Sequence, residues 1–144
     1  MSEITSMAAL KKWNEDVMSE FRANGGKVAQ FGDAPMIIMH AIGAKSGKVY
    51  ETPLVYKPDG DRMLVIASKA GAPTHPAWYH NLLANPRIDV EVGTDRFTVE
   101  VTELKGEERD SKFAEIKALM PNFAVYETKA APRLIPLLAL TRVE

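Results

Sequence analysis

The stretch RIDVEVGTDRFTVEVTEL, from Arg87 to Leu104, decides the fold class. Apolar and acidic side chains alternate in its first part, Arg87–Val92. This period of two indicates a strand with one buried face and one solvated face. Gly93-Thr94-Asp95 separates it from a second β run at Arg96–Leu104. The stretch is therefore predicted to be an antiparallel β-hairpin.

Further strands and helices are predicted on both sides of this hairpin. Antiparallel strands without regular βαβ alternation favour an α+β fold, a β-barrel with attached helices, over a doubly wound nucleotide-binding fold. Pro136 is expected to restrict the last strand to an edge or bulge position. The predicted strands are Met36–Ile42, Val49–Tyr56, Met63–Ala67, Arg87–Val92, Arg96–Leu104 and Leu134–Val143, and the predicted helices are 5–24, a short one opening at Trp78, and Gly106–Met120.

The predicted N-terminal helix, 5–24, is amphipathic. Leu10, Trp13, Val17 and Phe21 recur at spacings of three and four residues, which places them on one side of a helix. The favoured interpretation is a helix packed on the rest of the chain. The alternative is a mobile lid or a helix in weak contact with a membrane surface, because its apolar side carries a tryptophan.

The composition is that of a globular chain, with 144 residues, 46% hydrophobic and 26% charged. It predicts one domain, residues 1–144, large enough to bury a core. The formal net charge of −1 gives no overall attraction to nucleic acid, so recognition of an anion must come from a few local lysines. The N-terminus lacks a secretory signal and the apolar runs are too short to span a bilayer, which predicts a cytoplasmic protein.

The segment ASKAGAPTHPAWYHNLLANP, Ala67–Pro86, indicates a ligand site. A strand here leads into a polar loop and then into a helix, whose first N–H groups and dipole favour an anion. The neighbouring pair Trp78-Tyr79 offers surfaces for a flat ring. The segment therefore predicts a ligand that is both planar and anionic.

The chain carries few groups suited to difficult bond chemistry. It has no cysteine, which excludes disulfides, thiolate metal sites and cysteine nucleophiles. None of His40, His75 and His80 has a partner at metal-ligand spacing, so no metal site is predicted. A Gly-x-Ser-x-Gly elbow is absent as well. If the chain is an enzyme, a bound cofactor is expected to perform the hard step.

Several motifs occur in a specific order. They are GAKSGK at Gly43–Lys48, TPL at Thr52–Leu54, ASK at Ala67–Lys69, and PAWYHNLLANP at Pro76–Pro86. In this combination the chain resembles the deazaflavin-dependent nitroreductase family, the coenzyme F420-dependent oxidoreductases of actinobacteria, and within it the members that reduce aflatoxins and coumarins. The resemblance implies a split β-barrel of the FMN-binding type, six-stranded, antiparallel and Greek-key-like, with flanking helices.

The resemblance also implies where the cofactor binds. The turn at Lys45-Ser46 and the strand end at Ser68-Lys69 would hold the anionic tail, since lysine supplies a point charge and serine a short donor. The helix beginning at Ala77 would lie along the deazaflavin ring. The implied cofactor-binding residues are Ala44, Lys45, Ser46, Lys48, Tyr50, Ile66, Ala67, Ser68, Lys69, Ala77, Trp78, Tyr79, His80 and Asn81.

Two departures from the family pattern affect the expected chemistry. Ala44 and Tyr50 stand where the family usually has arginine or another polar residue, with Lys48 as partial compensation. The family's substrate-lining tyrosines are matched by Met120, Phe123 and Tyr126, so the predicted pocket is more apolar. It suits a flat lipophilic acceptor such as a coumarin, furanocoumarin, aflatoxin or quinone.

The resemblance implies transfer of hydride from the reduced deazaflavin to an α,β-unsaturated ester or lactone. Ser68 and Tyr126 are the expected hydrogen-bond donors to the acceptor oxygen. Three alternatives stay open: a reductase of the same barrel class that binds FMN, a non-catalytic module that binds F420 or a lipophile, and a membrane-associated quinone reductase. The expected partner is a small lipophilic acceptor, and the protein is expected to be a monomer or a homodimer.

Overall fold

The computed structural model describes residues 7–143. Residues 5 and 6 of the predicted N-terminal helix lie outside this range. Two short 3-10 segments, Ala29–Phe31 and Lys69–Gly71, accompany the main elements. The main helices and strands, in chain order, are α1 (Met7–Ala23), β1 (Met36–Ile42), β2 (Val49–Val55), β3 (Lys57–Asp59), β4 (Arg62–Ile66), α2 (Ala77–Ala84), β5 (Arg87–Val92), β6 (Asp95–Leu104), α3 (Gly106–Leu119), α4 (Asn122–Ala130) and β7 (Leu137–Arg142).

The strands form one antiparallel sheet in the order β2-β1-β5-β6-β7-β4-β3. The predicted hairpin is β5–β6, with Val90 opposite Phe97, and it lies inside the sheet between β1 and β7. Every pair of neighbouring strands is antiparallel. The α+β class with antiparallel strands and attached helices is therefore confirmed.

The last strand corrects the expectation about Pro136. β7 pairs with both β6 and β4, so it is an interior strand. Pro136 lies just before it, and its carbonyl oxygen accepts from the Ala67 amide at 3.0 Å. Because the proline precedes the paired residues, its missing N–H removes no bond from the ladder.

Two elements were absent from the sequence prediction. β3, of three residues, pairs with β4 and adds a seventh strand to the six expected. The residues Pro58-Asp59-Gly60-Asp61 are typical of a turn, but the turn itself begins only after Asp59. α4 lies between Pro121 and Pro132, two residues that indicate loop.

Helices cover different parts of the sheet. One core cluster joins Tyr79 and Leu82 of α2 to the sheet, and a second joins Phe113 and Ile116 of α3 to β4 and β7. A third places Phe21 of α1 against β1. β1 contributes to both the first and the third cluster, which explains why its sequence MIIM is continuously apolar.

α1 supports the packed interpretation of the N-terminal helix along its second half. Val17 and Phe21 are buried, and the Trp13 ring meets Phe31 edge-on at 6.1 Å. Leu10 is exposed. Among residues 7–143, no helix has both the length and the hydropathy that a membrane span requires.

Candidate cofactor-binding site

The turn between β1 and β2 is closed by its own hydrogen bonds. The Gly43 amide donates to the Lys48 carbonyl at 2.7 Å, and the Lys48 amide donates to Ser46 Oγ at 3.1 Å. A Cβ on Gly43 would lie 2.6 Å from Ser46 Oγ and 2.9 Å from Tyr50 Cε2, so a larger residue there would displace these side chains. Lys45, Ser46 and Lys48 are exposed on this turn. They are free to meet an anion from solvent.

Helix α2 is fixed to this turn by two asparagines. The Ala44 amide donates to Asn81 Oδ1 at 3.0 Å, and Asn85 Nδ2 donates to the Ile42 carbonyl at 3.2 Å. The predicted residues of the turn and of the helix are thereby brought together. Asn81 holds the turn and is therefore not free to bind a ligand through this oxygen.

The loop after β4, Ser68–Gly71, has an unusual backbone. Ser68 is right-handed (φ −78°, ψ −34°), and Lys69, Ala70 and Gly71 follow with φ of 48°, 53° and 82°. Positive φ is uncommon for residues other than glycine, and it is found most often where function requires it. A right-handed residue followed by a left-handed one turns successive N–H groups toward one point, a concavity that binds anions. The loop therefore offers an anion seat beside the Lys69 side chain.

An arginine that was not predicted as a site residue holds this loop. Arg133 donates to the carbonyl oxygens of Ala67, Ser68 and Ala72 and contacts His75. Its partners lie 58 to 66 residues away in sequence. No local pattern signals such a contact.

The aromatic residues of α2 have different surroundings. Tyr79 is 8% exposed, and its hydroxyl donates to Glu103 Oε2 at 2.9 Å. Burial, together with this hydrogen bond, raises the pKa of Tyr79 to about 12. Trp78 is partly buried against the same core, and His80 is exposed. The Tyr79 side chain lies behind the predicted site, while Trp78 and His80 remain accessible.

One of the three predicted acceptor residues lies next to the loop. Met120, Phe123 and Tyr126 pack, partly buried, on the second core cluster, and the Phe123 and Tyr126 rings meet edge-on at 5.6 Å. A Cβ on Gly71 would lie 3.0 Å from the Tyr126 carbonyl and 2.9 Å from Lys129 Cβ. The loop and α4 are thus in close contact, and the loop adjoins Tyr126 of the predicted acceptor wall, which is formed by Met120, Phe123 and Tyr126.

Three further predicted residues differ in exposure, since two are buried and one is exposed. Ile66 and Ala67 are buried, so a contact through them would use the backbone. Tyr50 is 48% exposed, with its hydroxyl 3.4 Å from Ser46 Oγ. Tyr50 therefore extends the exposed hydroxyl surface of the first turn.

A cleft of about 440 Å³ lies apart from most of these residues. It shares His75 and Tyr79 with the Ala67–Pro86 segment and is otherwise bounded by the end of β6, the start of α3 and the residues before β7. Lys45, Ser68 and Lys69 do not line it. The cleft and the predicted cofactor residues therefore do not coincide.

A charged cluster that sequence reasoning missed lies on the side of β1 that faces α1. His40, Glu51 and Glu91 come from three strands and place one potential ligand atom each within 4.8 Å of one another. Arg22 of α1 lies 2.9 Å from Glu51 and 2.6 Å from Glu91, so a guanidinium already pairs with both carboxylates. The cluster is a paired ion network that joins α1 to the sheet.

Comparisons with known proteins agree with this architecture. A family model described as F420H(2)-dependent quinone reductase matches residues 13–142. An F420H(2)-dependent quinone reductase of Mycobacterium tuberculosis is 34% identical over 129 residues, which is 85% of this chain and 85% of that protein. A solved structure of an F420-H2 dependent reductase (FDR-A) is 36% identical, with a TM-score of 0.66, over 74% of this chain and 93% of that one.

A further solved structure, described as a domain-swapped dimer, is 32% identical with a TM-score of 0.68, over 94% of this chain and 99% of that one. These findings confirm the deazaflavin-dependent split-barrel family that the motifs indicate. The match covers all the predicted site residues, from Ala44 to Tyr126. The chain belongs to the F420H(2)-dependent quinone reductase family, a family of oxidoreductases.

Proposed function

We propose that this protein is an F420-dependent reductase that transfers hydride from reduced F420 to a planar, lipophilic acceptor. The acceptor classes are quinones and α,β-unsaturated lactones such as coumarins, furanocoumarins and aflatoxins. The observation that carries the proposal is the Ser68–Gly71 anion seat, which precedes α2 in the chain and packs against Tyr126 and Lys129 of α4.

The residues present fit an anionic cofactor tail. Lys45, Ser46 and Lys48 are exposed on one turn, and Lys69 is exposed on the loop. Lysine binds phosphate as a point charge, and convergent backbone N–H groups donate further hydrogen bonds to the phosphate oxygens. The start of α2 adds unpaired helix N–H groups and the positive end of its dipole.

The residues also fit a flat, apolar acceptor. Phe123 and Tyr126 are partly buried aromatic rings, and Met120 is an adaptable side chain beside them. A wall with a single hydroxyl group favours a ligand with a large apolar face and few polar atoms. This supports a quinone or a fused lactone over a small polar nitro compound.

Reduced F420, when bound, supplies a hydride from C5. The work left to the protein is to hold donor and acceptor about 3–3.5 Å apart and to stabilise charge on the acceptor oxygen. Tyr126, Ser68 or a loop N–H would donate to that oxygen. A quinone takes the hydride and one proton to become a hydroquinone. A lactone takes hydride at the β-carbon and a proton at the α-carbon, with solvent or the Tyr126 hydroxyl supplying the proton.

The direct test mixes the purified protein with reduced F420 and, in separate reactions, a quinone, a coumarin and a nitroaromatic acceptor. We expect enzyme-dependent return of the oxidised-cofactor absorbance with the quinone or the coumarin. No return with any of the three would overturn the reductase proposal. Binding of F420 without turnover would favour the non-catalytic module.

A matched pair of tyrosine variants tests the acceptor wall. Tyr126→Phe is expected to lower kcat about tenfold, as the loss of one hydrogen bond to developing charge would. Tyr56→Phe is the control, since Tyr56 packs on the first core cluster away from α4. Equal activity of the two variants would remove the Tyr126 hydroxyl from the mechanism.

Two alternatives are tested by binding. Titration with F420 and with FMN, followed by tryptophan fluorescence, compares the two cofactors; tighter binding of FMN would overturn the deazaflavin proposal.

Co-sedimentation with liposomes tests membrane contact through α1. The oligomeric state, monomer or homodimer, is measured by light scattering after gel filtration.

A further inference from the structure

Arg133 makes four polar contacts with a single loop. It lies three residues after the end of α4 and is partly buried. Its Nε donates to the Ala72 carbonyl at 3.0 Å, one Nη to the Ala67 carbonyl at 3.1 Å, and the other Nη to the Ser68 carbonyl at 2.7 Å. The fourth contact joins Nη1 to His75 Nδ1 at 2.8 Å. A planar guanidinium presents its donors in a fixed fork, so these contacts also fix the shape of the loop.

The four acceptors are all neutral. Arginine carries its proton at any physiological pH, so it donates to His75 Nδ1 and leaves the imidazole proton on Nε2. Burial and the Arg133 charge lower the pKa of His75, in agreement with a neutral ring. The positive charge of Arg133 is therefore not cancelled by the groups it binds here. It adds positive potential beneath the loop.

The geometry of the peptide bond explains how these contacts orient the amides of the anion seat. In a trans peptide the N–H points opposite to the carbonyl of the preceding residue. When Arg133 binds the carbonyls of Ala67 and Ser68, the amides of Ser68 and Lys69 are directed away from the guanidinium. The following residues, Lys69 and Ala70, have left-handed backbones that persist only where the surroundings hold them.

We infer that Arg133 is a positioning residue for the cofactor loop. By binding the carbonyls of Ala67 and Ser68 it presents the amides of Ser68 and Lys69 to the anionic part of the ligand. It also joins this loop to the end of α4, so the cofactor seat and the acceptor wall are held as one unit. The inference rests on the proposed function for the identity of the ligand, but not for the shape of the loop.

The test compares Arg133→Gln and Arg133→Lys with Arg87→Gln, an exposed arginine at the start of β5. Two readouts are taken on each full-length protein: hydrogen exchange of the amides of residues 68–72, and the Kd for F420. We expect exchange in the loop to rise about tenfold or more in Arg133→Gln, with β1 unchanged. The Kd should rise roughly tenfold to a hundredfold, as expected for the loss of charge-assisted bonds.

Arg133→Lys separates positioning from charge. Lysine keeps the charge but lacks the fork, so this variant should also show faster loop exchange and weaker binding. Wild-type affinity and exchange in Arg133→Lys would overturn the inference, and so would unchanged exchange in Arg133→Gln. Should neither variant fold, the wild type decides: bound F420 must slow exchange of the Ser68 and Lys69 amides, and no such protection in protein that binds F420 would overturn the inference.

Failure of the proposed function is a different result. If the wild type binds no F420, the proposed function fails, while faster loop exchange in the Arg133 variants still establishes that Arg133 shapes the loop.

Discussion

The guanidinium of Arg22 on α1 donates to both carboxylate oxygens of Glu91 on β5, with Nε–Oε1 and Nη2–Oε2 distances of 3.0 and 2.6 Å. His40 Nε2 lies 2.7 Å from the same carboxylate. A two-point arginine–carboxylate contact is stronger and more directional than a single ion pair. We expect Arg22→Gln to lower the free energy of unfolding by about 1–2 kcal/mol, measured by urea denaturation.

The control for this prediction is Lys12→Gln on the same helix. Lys12 pairs with Asp16 at 3.0 Å, and both side chains are well exposed. Such i,i+4 pairs contribute about 0.5 kcal/mol or less. Equal losses in the two variants would show that the Arg22 contact adds nothing beyond an ordinary surface pair.

Glu91 also predicts how stability depends on pH. The hydrogen bond from Arg22, followed by that from His40, lowers the pKa of Glu91 from 4.5 to about 2. A carboxylate with a lowered pKa in the folded state stabilises the protein above its unfolded pKa, and this stabilisation disappears as pH falls through the folded value. The contribution should therefore be lost between pH 4.5 and about 2.

Comparing the wild type with Glu91→Gln isolates this group, because Asp59 and Asp89 also have lowered pKa values and titrate in both proteins. We expect the stability difference between wild type and variant to shrink as pH falls through that window. A difference that stays constant down to pH 2 would contradict the assignment. This stability difference is measured by thermal unfolding of both proteins at a series of pH values.

Local pattern was enough to predict several elements. β1 and β5 have the predicted bounds, because continuous apolar residues in one and alternation in the other are direct consequences of burial. Three of the four motif segments occupy neighbouring elements of the fold: α2 binds the turn after β1 and follows the loop after β4.

What local pattern missed depends on distant contacts. Arg22 and Glu91 are 69 residues apart in sequence, and Arg133 is 66 residues from Ala67. Nothing near either arginine in the sequence indicates that its side chain has distant partners. α4 was missed for another reason, since nine residues between two prolines give too short a period to recognise.

The backbone conformation of Gly71 leads to a prediction about the free energy of unfolding. Its φ of +82° disfavours any side chain, and an added Cβ would also meet Lys129 and the Tyr126 carbonyl. Gly47 is the matched control, because its φ is +73° but nothing lies within 4 Å of an added Cβ. We expect Gly47→Ala to cost about 1 kcal/mol and Gly71→Ala about 2–4 kcal/mol of unfolding free energy. Similar costs would mean that α4 moves away freely from the loop.

The environment of Tyr79 leads to a prediction about stability and tyrosine ionisation at high pH. Its pKa is raised to about 12, chiefly by burial and then by its hydrogen bond to Glu103. A raised pKa means that the protonated form is favoured by folding, so this stabilisation holds below pH 10 and is lost as pH rises toward 12. Tyr79→Phe should remove the latest phenolate step from an ultraviolet titration of the folded protein. Retention of that step would assign it to another tyrosine.

Lys69 gives the sharpest test of the anion seat. It stands on the loop whose backbone is left-handed, exposed except for a 3.3 Å contact with Thr74 Oγ1. Lys69→Ala should weaken F420 binding about tenfold, the effect of losing one lysine–phosphate contact, and should reduce the dependence of Kd on salt concentration. Lys11→Ala, on the exposed side of α1, is the control and should leave both quantities unchanged. The Kd of each variant for F420 is measured by tryptophan fluorescence titration at low and at high salt. If Lys69→Ala binds as the wild type does at both salt concentrations, the lysine does not contact the cofactor, and the seat would depend on backbone amides alone.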